Sequence, residues 1–490
     1  MRTQDEYNVT KQRIRNMYVT IDLLNYQYEK VDEISGEVIG SPSFSINADS
    51  DLRRSLSISI VPTDSSFDIT QGSKIWMDKY VRPFVHIKKE GANEYVKTNL
   101  GTYMINNPES VINLTEKTIN LNCIDLMAKM TGLRNGNLEG IPYIISQGSN
   151  VRKVLIELVK LSGFTKYVIE ECPYEVPNEI KVDVGGTVFD IIKQLVDIDP
   201  NFQVYFDVDG VFHYEKMPTG ENQQSLITDD LWDSVIIGYT ISTDYENVKN
   251  VIEVVGGTHD VSNFASEVTV SGSTYNLKIV SVTGLSDGLK VGFVAKNKVT
   301  NPYLNINNLG AKALKNEDGT FPEMYDEEDV YYVARYSSKK GYFIYLGKVT
   351  PYGYMEDDNP NSPFYIKGTL GKIRIVLSGG EYDNIQSDDL AQQRAEYEFY
   401  RRCRLQDTIT LTCVPIFWAD VNILTDITID GKIKKYLIKS VNTNLDAGGT
   451  QTMTLMRFYD DSDTQNSRAL EDSSGYRVTE DDDIRVMEEE

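Results

Sequence analysis

Between Met17 and Gly132 apolar and polar residues alternate in short runs. YVTIDLL, SLSISIVP, PFVHIKK, GTYMINN and TINLNCIDL each carry the period of two that sets one face of a strand against a core. Turn residues separate them, and no strong helical period intervenes. Short strands in this order predict a closed or nearly closed antiparallel sheet, a small barrel or sandwich more than an α/β enzyme core.

The period then changes. In NVRKVLIELVKL the residues Val151, Val154, Leu155, Leu158 and Val159 share one helical face, and Gly163 supplies a stop. The pattern repeats in GGTVFDIIKQLVDI, where Thr187 and Asp190 form a capping pair ahead of Val188, Ile191, Ile192 and Leu195. With the strands NEIKVDV, FQVYFDV and VFHYEKM around them, these helices predict a small α/β domain over 136–217, following a first barrel over 17–135.

From Trp232 the strand pattern resumes with VIIGYTI and VKNVIEVVGG. It is interrupted at 258–362 by strands set in Asn/Gly/Asp-rich loops, such as TYNLKIVSV, LKVGFVAKN, DVYYVARY and GYFIYLG. It returns with PFYIKGTLGKIRIVLSGG and a helix capped by Ser387, with Asp388 and Asp389 in its first turn and Arg401, Arg402 and Arg404 at its basic end. TITLTCVPI, VNILTDITI, YLIKSVNT and TMTLMRF follow. The expectation is a mainly β chain, α+β overall. It comprises an N-terminal arm (1–16), two antiparallel β-barrel domains (17–135; 218–257 with 363–458), the α/β domain between them, an inserted β module (258–362) and an acidic flexible tail (459–490).

Composition sharpens this. A chain of 490 residues exceeds one core and suggests about three to four domains. Its 31 Tyr against 12 Met favour strands. A formal charge of −24 with no Lys/Arg stripe argues against phosphate binding, yet suits a conduit wall that must not grip a nucleic acid backbone. The segment 459–490 holds twelve Asp/Glu against three Arg and predicts a solvated tail. Cys123, Cys172, Cys403 and Cys413 have no metal or disulfide spacing. No apolar stretch approaches a membrane span, and the N-terminal residues lack a signal peptide's apolar core, so synthesis in a cytoplasm is expected.

Candidate chemistry is sparse. His86, His213 and His259 fall in three different modules and read as ordinary strand and loop residues rather than a triad or zinc set. DVDG at Asp207 to Gly210 lacks the remaining ligands of a calcium loop and reads as a hairpin turn. A carboxylate pair such as Glu170 and Glu175 can be nominated anywhere in so acidic a chain. The Gly-rich pieces VVGGT, LSGGE and DAGGT read as turns. No catalytic residue, metal or cofactor is therefore expected. Arg394, Arg401 and Arg402 are candidates for an interface with acidic surfaces, beside the plainer reading of a solvated helix face.

GTYMINNPE followed by TINLNCIDLMAKM resembles the first tube-like domain of bacteriophage tail hub proteins. ENVKNVIEVVGG, AQQRAEYEFYRRCRL, DTITLTCVPI and VNILTDITI resemble the second. The module from LKVGFVAKN to GYFIYLG is similar to β modules of tail fibres and tail-tip proteins, with Asn308 where a Gly is usual. The resemblance implies a structural hub of a tail tip, a baseplate or a related injection device, located in the virion tail. It implies a homotrimer whose two barrels per chain form a pseudo-sixfold ring around a DNA channel. Its implied partners are the tail tube or distal tail protein, the tape-measure protein and a spike or tip protein, with DNA passing unbound. The alternatives are a tail-associated cell-wall hydrolase, or a carbohydrate-binding adhesin using Tyr303, Tyr331, Tyr332 and Tyr342 as stacking platforms.

Overall fold

The structure is a computed structural model. It describes the chain except residues 1–2, 35, 65, 113–116, 141–142, 147, 173–174, 177–179, 200, 219–223, 260, 317, 325–329, 386, 447, 459–475, 479–483 and 487–490. Strand residues make up 43% against 13% in helix, so the chain is mainly β.

Both parts of the chain expected to form barrels contribute to one 14-stranded sheet. Ile236–Asp244, Gln406–Cys413, Gln451–Arg457 and Lys432–Asn444 follow one another from one end. The sheet continues through Gly36–Asn47, Arg54–Pro62, Lys117–Ile124, Tyr103–Ile105, Tyr80–Lys88, Met17–Leu24 and Lys30–Glu33. The join is the antiparallel pairing of Lys432–Asn444 with Gly36–Asn47, where Val441 faces Ile46 and Thr443 faces Phe44. Because strand side chains alternate, one face turns inward along the whole run. Phe44, Ile46, Leu56, Ile58, Leu121, Ile409, Leu411, Val441, Met453 and Leu455 belong to a single buried cluster. Trp232, 1% exposed on the helix Asp229–Val235, plugs this core and donates from Nε1 to Thr425 Oγ1 at 2.7 Å.

The N-terminal arm ties the two halves together. Its helix Gln4–Thr10 starts with a reciprocal Thr3/Glu6 cap. Thr98 donates to Glu6 Oε1 at 3.0 Å on the first half, while Lys11 pairs with Asp230 at 3.1 Å on the second. The α/β unit has its own core from the helices Val151–Leu161 and Val188–Val196, which bury the stripes read from the sequence. DVDG is the turn between the paired strands Phe202–Phe206 and Phe212–Lys216.

One sequence grouping needs correction. The strand Val251–Val255 lies outside the large sheet, between Tyr352–Glu356 and Arg374–Leu377 in a three-stranded sheet. Val251, Ile252 and Val254 are all buried, and Ala391 and Ala395 of the helix Asp388–Arg402 share a core with Ile252 and Val254. The small alanines let this helix lie close to the strands, so the layer stands apart from the large sheet. Ile236–Asp244 and Gln406–Cys413 are direct partners, and everything between them is an excursion from one hairpin. Nested inside that excursion is a seven-stranded β unit with its own core, running from Glu267–Ser271 to Tyr342–Lys348. Within the acidic segment, Tyr476–Val478 pairs with Ile484–Val486, and the rest of that expectation lies outside the described residues.

Candidate functional site: a neutral face of the large sheet

Opposite the core, the large sheet presents the other half of each alternation to solvent, and its chemistry is uniform. Thr240 and Ser242 stand across from Thr410 and Thr408, and Thr412 and Thr410 from Thr452 and Thr454. These continue to Asn442 and Ser440, then to Ser45 and Asn47 across the join. Ser45 and Ser43 face Ser55 and Ser57, and Ser57 and Ser59 face Asn122 and Asn120. Seven strands thus carry a field of hydroxyls and amides with no charged residue among these named positions.

The field is knitted laterally. Ser45 and Ser55 hydroxyls bond at 2.6 Å, Ser59 donates to Asn120 at 2.7 Å, and Ser57 donates to Asn122 at 3.2 Å. Short side chains satisfied by their neighbours make a smooth surface that presents no cation to a polyanion. Charge appears only at its margins and is acidic: Asp244 ends one edge strand, and Glu109 accepts from Asn120 at 3.2 Å at the other side.

The sheet's end beside Ile236–Asp244 is open. Tyr239 and Ile241 stand opposite Leu411 and Ile409, both 0% exposed, yet are themselves 46% and 40% exposed, with Ile237 at 60%. The apolar face of the core therefore runs on past its cover to an unpaired strand edge. At the opposite end, Val31, Tyr18 and Tyr95 are also exposed, with Tyr18 stacked on His86 at 4.5 Å between ring centroids.

The three sequence-nominated arginines converge inward on one carboxylate. Glu398, 1% exposed, is approached by Arg394 at 3.2 Å, Arg401 at 3.7 Å and Arg402 at 2.8 Å. Arg401 remains half exposed, while Arg394 and Arg402 are mostly covered. Tyr332 is 2% exposed in the core of the inserted unit and offers no face to a glycan. Tyr303 and Tyr331 are exposed in part, the first beside Phe321 and the second edge-on to Phe264. Lys315 and Lys340 lie over the Tyr342 ring.

His86, His213 and His259 sit on different units and form no common site. His213 lies between Asp207 at 3.2 Å and Glu215 at 3.4 Å, and these bonds raise its pKa to about 9. Glu170 accepts from the Lys216 backbone at 3.2 Å. Among the described residues no group of three or more His, Cys, Asp or Glu could hold a metal, and no helix is long and apolar enough to cross a membrane.

Sequence reasoning missed the neutral face, although its signal was present. SFSIN, SLSIS, INLNC, TITLTC and TMTL each alternate an apolar residue with an uncharged hydroxyl or amide, where an ordinary solvent face mixes in Lys and Glu.

A family model described as a domain of unknown function (DUF5048) matches residues 361–461. No curated protein matches. Over most of its length the chain is similar to solved tail proteins. The 43 kDa tail protein of prophage MuSo2 from Shewanella oneidensis is 10% identical with a TM-score of 0.46, covering 90% of this chain and 98% of that one. A tail protein from Neisseria meningitidis MC58 has the same identity and TM-score, covering 90% and 96%. Prophage tail protein gp18 from Listeria monocytogenes EGD-e is 10% identical with a TM-score of 0.43, covering 92% and 99%.

Proposed function

We propose that the chain is a structural, non-catalytic hub of a phage tail tip or baseplate, whose copies form a ring around a DNA channel. The observation that carries this reading is the neutral hydroxyl and amide face running unbroken across both halves of the large sheet. A wall that lets a polyanion slide needs dense hydration and no fixed cations. Each Lys or Arg contact to phosphate would add a salt-dependent binding increment and act as a brake. The acidic margins and the overall charge of −24 push in the same direction.

Two features support closure by copies of the chain. The halves already pair edge to edge, so each chain supplies two adjoining wall segments. The free edge at Ile236–Asp244 leaves an apolar strip that another strand would cover. The homotrimer with pseudo-sixfold walls, the modules delimited above and the tail-tube, tape-measure and tip partners belong to the same proposal, as does a virion-tail location. Native mass measurement with negative-stain images tests it. A ring-shaped trimer, alone or on addition of tail components, is the expected result, and a compact monomer under both conditions overturns it.

A further inference from the structure

Away from the sheet face, a cavity of about 250 Å³ opens where three units meet. It is lined by the loop around Asp49 to Arg53, by the α/β unit through Gln203 and Tyr205, and by Asn422 and Lys439 of the second half. Two of its lining groups lack partners. Arg53 is 6% exposed, and of the five donors a guanidinium carries, one is used, on Gln203 Oε1 at 3.0 Å. The cation lies over the Tyr205 ring at 4.4 Å, and among the described residues no carboxylate comes within ion-pair distance of it. Asn422, also 6% exposed, donates to the same Gln203 oxygen at 2.7 Å, while its own Oδ1 has no partner. Its backbone is held at φ 55°, in the left-handed region.

The other ions of the cavity are better provided for. Lys439 holds Asp49 at 2.6 Å, Lys193 holds Asp51 at 2.7 Å, and Asp125 accepts from the Arg54 and Met127 backbones. A buried guanidinium without its counter-ion and a buried carbonyl without its donor are both unfavourable, and here they share one opening. The geometry points to a site for a carboxylate carried on a peptide, its oxygens accepting from Arg53 and its adjacent N–H donating to Asn422 Oδ1. A planar guanidinium matches a carboxylate in two parallel bonds, and the Asn422 acceptor selects a donor beside it. The carboxylate could come from the chain's own acidic segment 459–490 or from a neighbouring chain. The site does not depend on the channel reading.

The test is titration of the full chain with N-acetyl-aspartate methylamide, with the asparagine analogue and inorganic phosphate as comparators. Saturable binding of the aspartate probe is expected, at least tenfold tighter than the asparagine analogue and at least tenfold weaker in R53Q. If R53Q does not fold, the isosteric N422D carries the same expectation. Equal binding of the two amides, undiminished binding in the folded variants, or tighter binding of phosphate overturns the proposal. Repeating the titration on the full chain with D460N, D461N and D463N separates the sources. Tighter probe binding than in the unaltered chain assigns the site to the chain's own segment, and equal binding assigns it to a neighbour. Absence of binding in both chains overturns the proposal.

Discussion

Arg54 shows how a single residue holds three units in register. It is 2% exposed, its Nη2 meets Asp420 of the second half, and its Nε donates to the Phe206 carbonyl of the α/β unit at 3.4 Å. A charge so enclosed is tolerable only with its partners, and removing one side of a buried pair typically costs about 3–5 kcal/mol. Arg54→Ala should lower the thermal unfolding midpoint accordingly. Arg54→Met, which fills the space and leaves the partly exposed Asp420 to water, should cost clearly less; equal losses would mean that volume and not charge is what matters. His213 gives a pH-dependent counterpart. Its folded pKa of about 9, raised by Asp207 and then Glu215, lies above the unfolded value near 6.5, so its contribution is complete below about pH 6.5 and disappears as pH rises through 9. The melting-temperature gap between the native chain and His213→Gln should therefore be wide at pH 6 and nearly closed at pH 10. A gap independent of pH would remove the charge from the explanation. Such pairings are invisible in sequence, because Asp420 and Arg54 are remote along the chain. Glu398 with Arg394 and Arg402 was partly legible, since both pairs are spaced four apart on a helix.

At the scale of elements, most strands and the two amphipathic helices of the α/β unit were legible because their buried stripes are local facts of spacing. Pairing was not. Val251–Val255 looks in sequence like any buried strand, and only the direct register of Ile236–Asp244 with Gln406–Cys413 reveals that it lies outside the large sheet. The same geometry locates where the inserted unit leaves and rejoins. Gly256 donates to the Pro351 carbonyl at 2.8 Å, His259 donates to Val349 at 2.8 Å, and the Thr258 and Thr350 hydroxyls bond at 3.1 Å. Ends so close can be joined by a short linker at little entropic cost. Replacing residues 260–348 with a short Gly/Ser linker should leave soluble chains whose circular dichroism and melting match the remaining sheet. Extending the cut to 258–362 also removes Tyr352–Glu356, which pairs with Val251–Val255 and packs on the helix Asp388–Arg402. That longer deletion should expose Ile252 and Val254 and aggregate. Equal behaviour of the two deletions would show that this strand contributes nothing to its layer.

For the whole molecule, the decisive contrast is between the two faces of one sheet and its unfinished end. The neutral face tolerates charge locally, because Ser57 and Asn442 are exposed, so Ser57→Lys with Asn442→Lys should leave melting nearly unchanged. In assembled particles the same pair should slow DNA release, and more so at low salt, where phosphate contacts strengthen. The open end makes a sharper demand. Tyr239 and Ile241 lie on the same face as Leu411 and Ile409, yet nothing in the chain covers them as fully. In a solitary chain they would be an aggregation hazard, since an exposed apolar edge strand invites pairing. In a ring they would be covered by the next copy. Lysines at such positions block pairing by placing a solvated charge where a neighbouring strand must pack. The double variant Tyr239→Lys and Ile241→Lys should therefore keep the fold of the single chain, because both side chains already meet water, while shifting the mass in solution toward monomer. The control is the same pair of changes at Ile144 and Val184, apolar residues 54% and 61% exposed on the α/β unit, which should leave the mass untouched. If the edge variant assembles as the native chain does, the Ile236–Asp244 edge is not the seam, and the ring must close elsewhere or not at all.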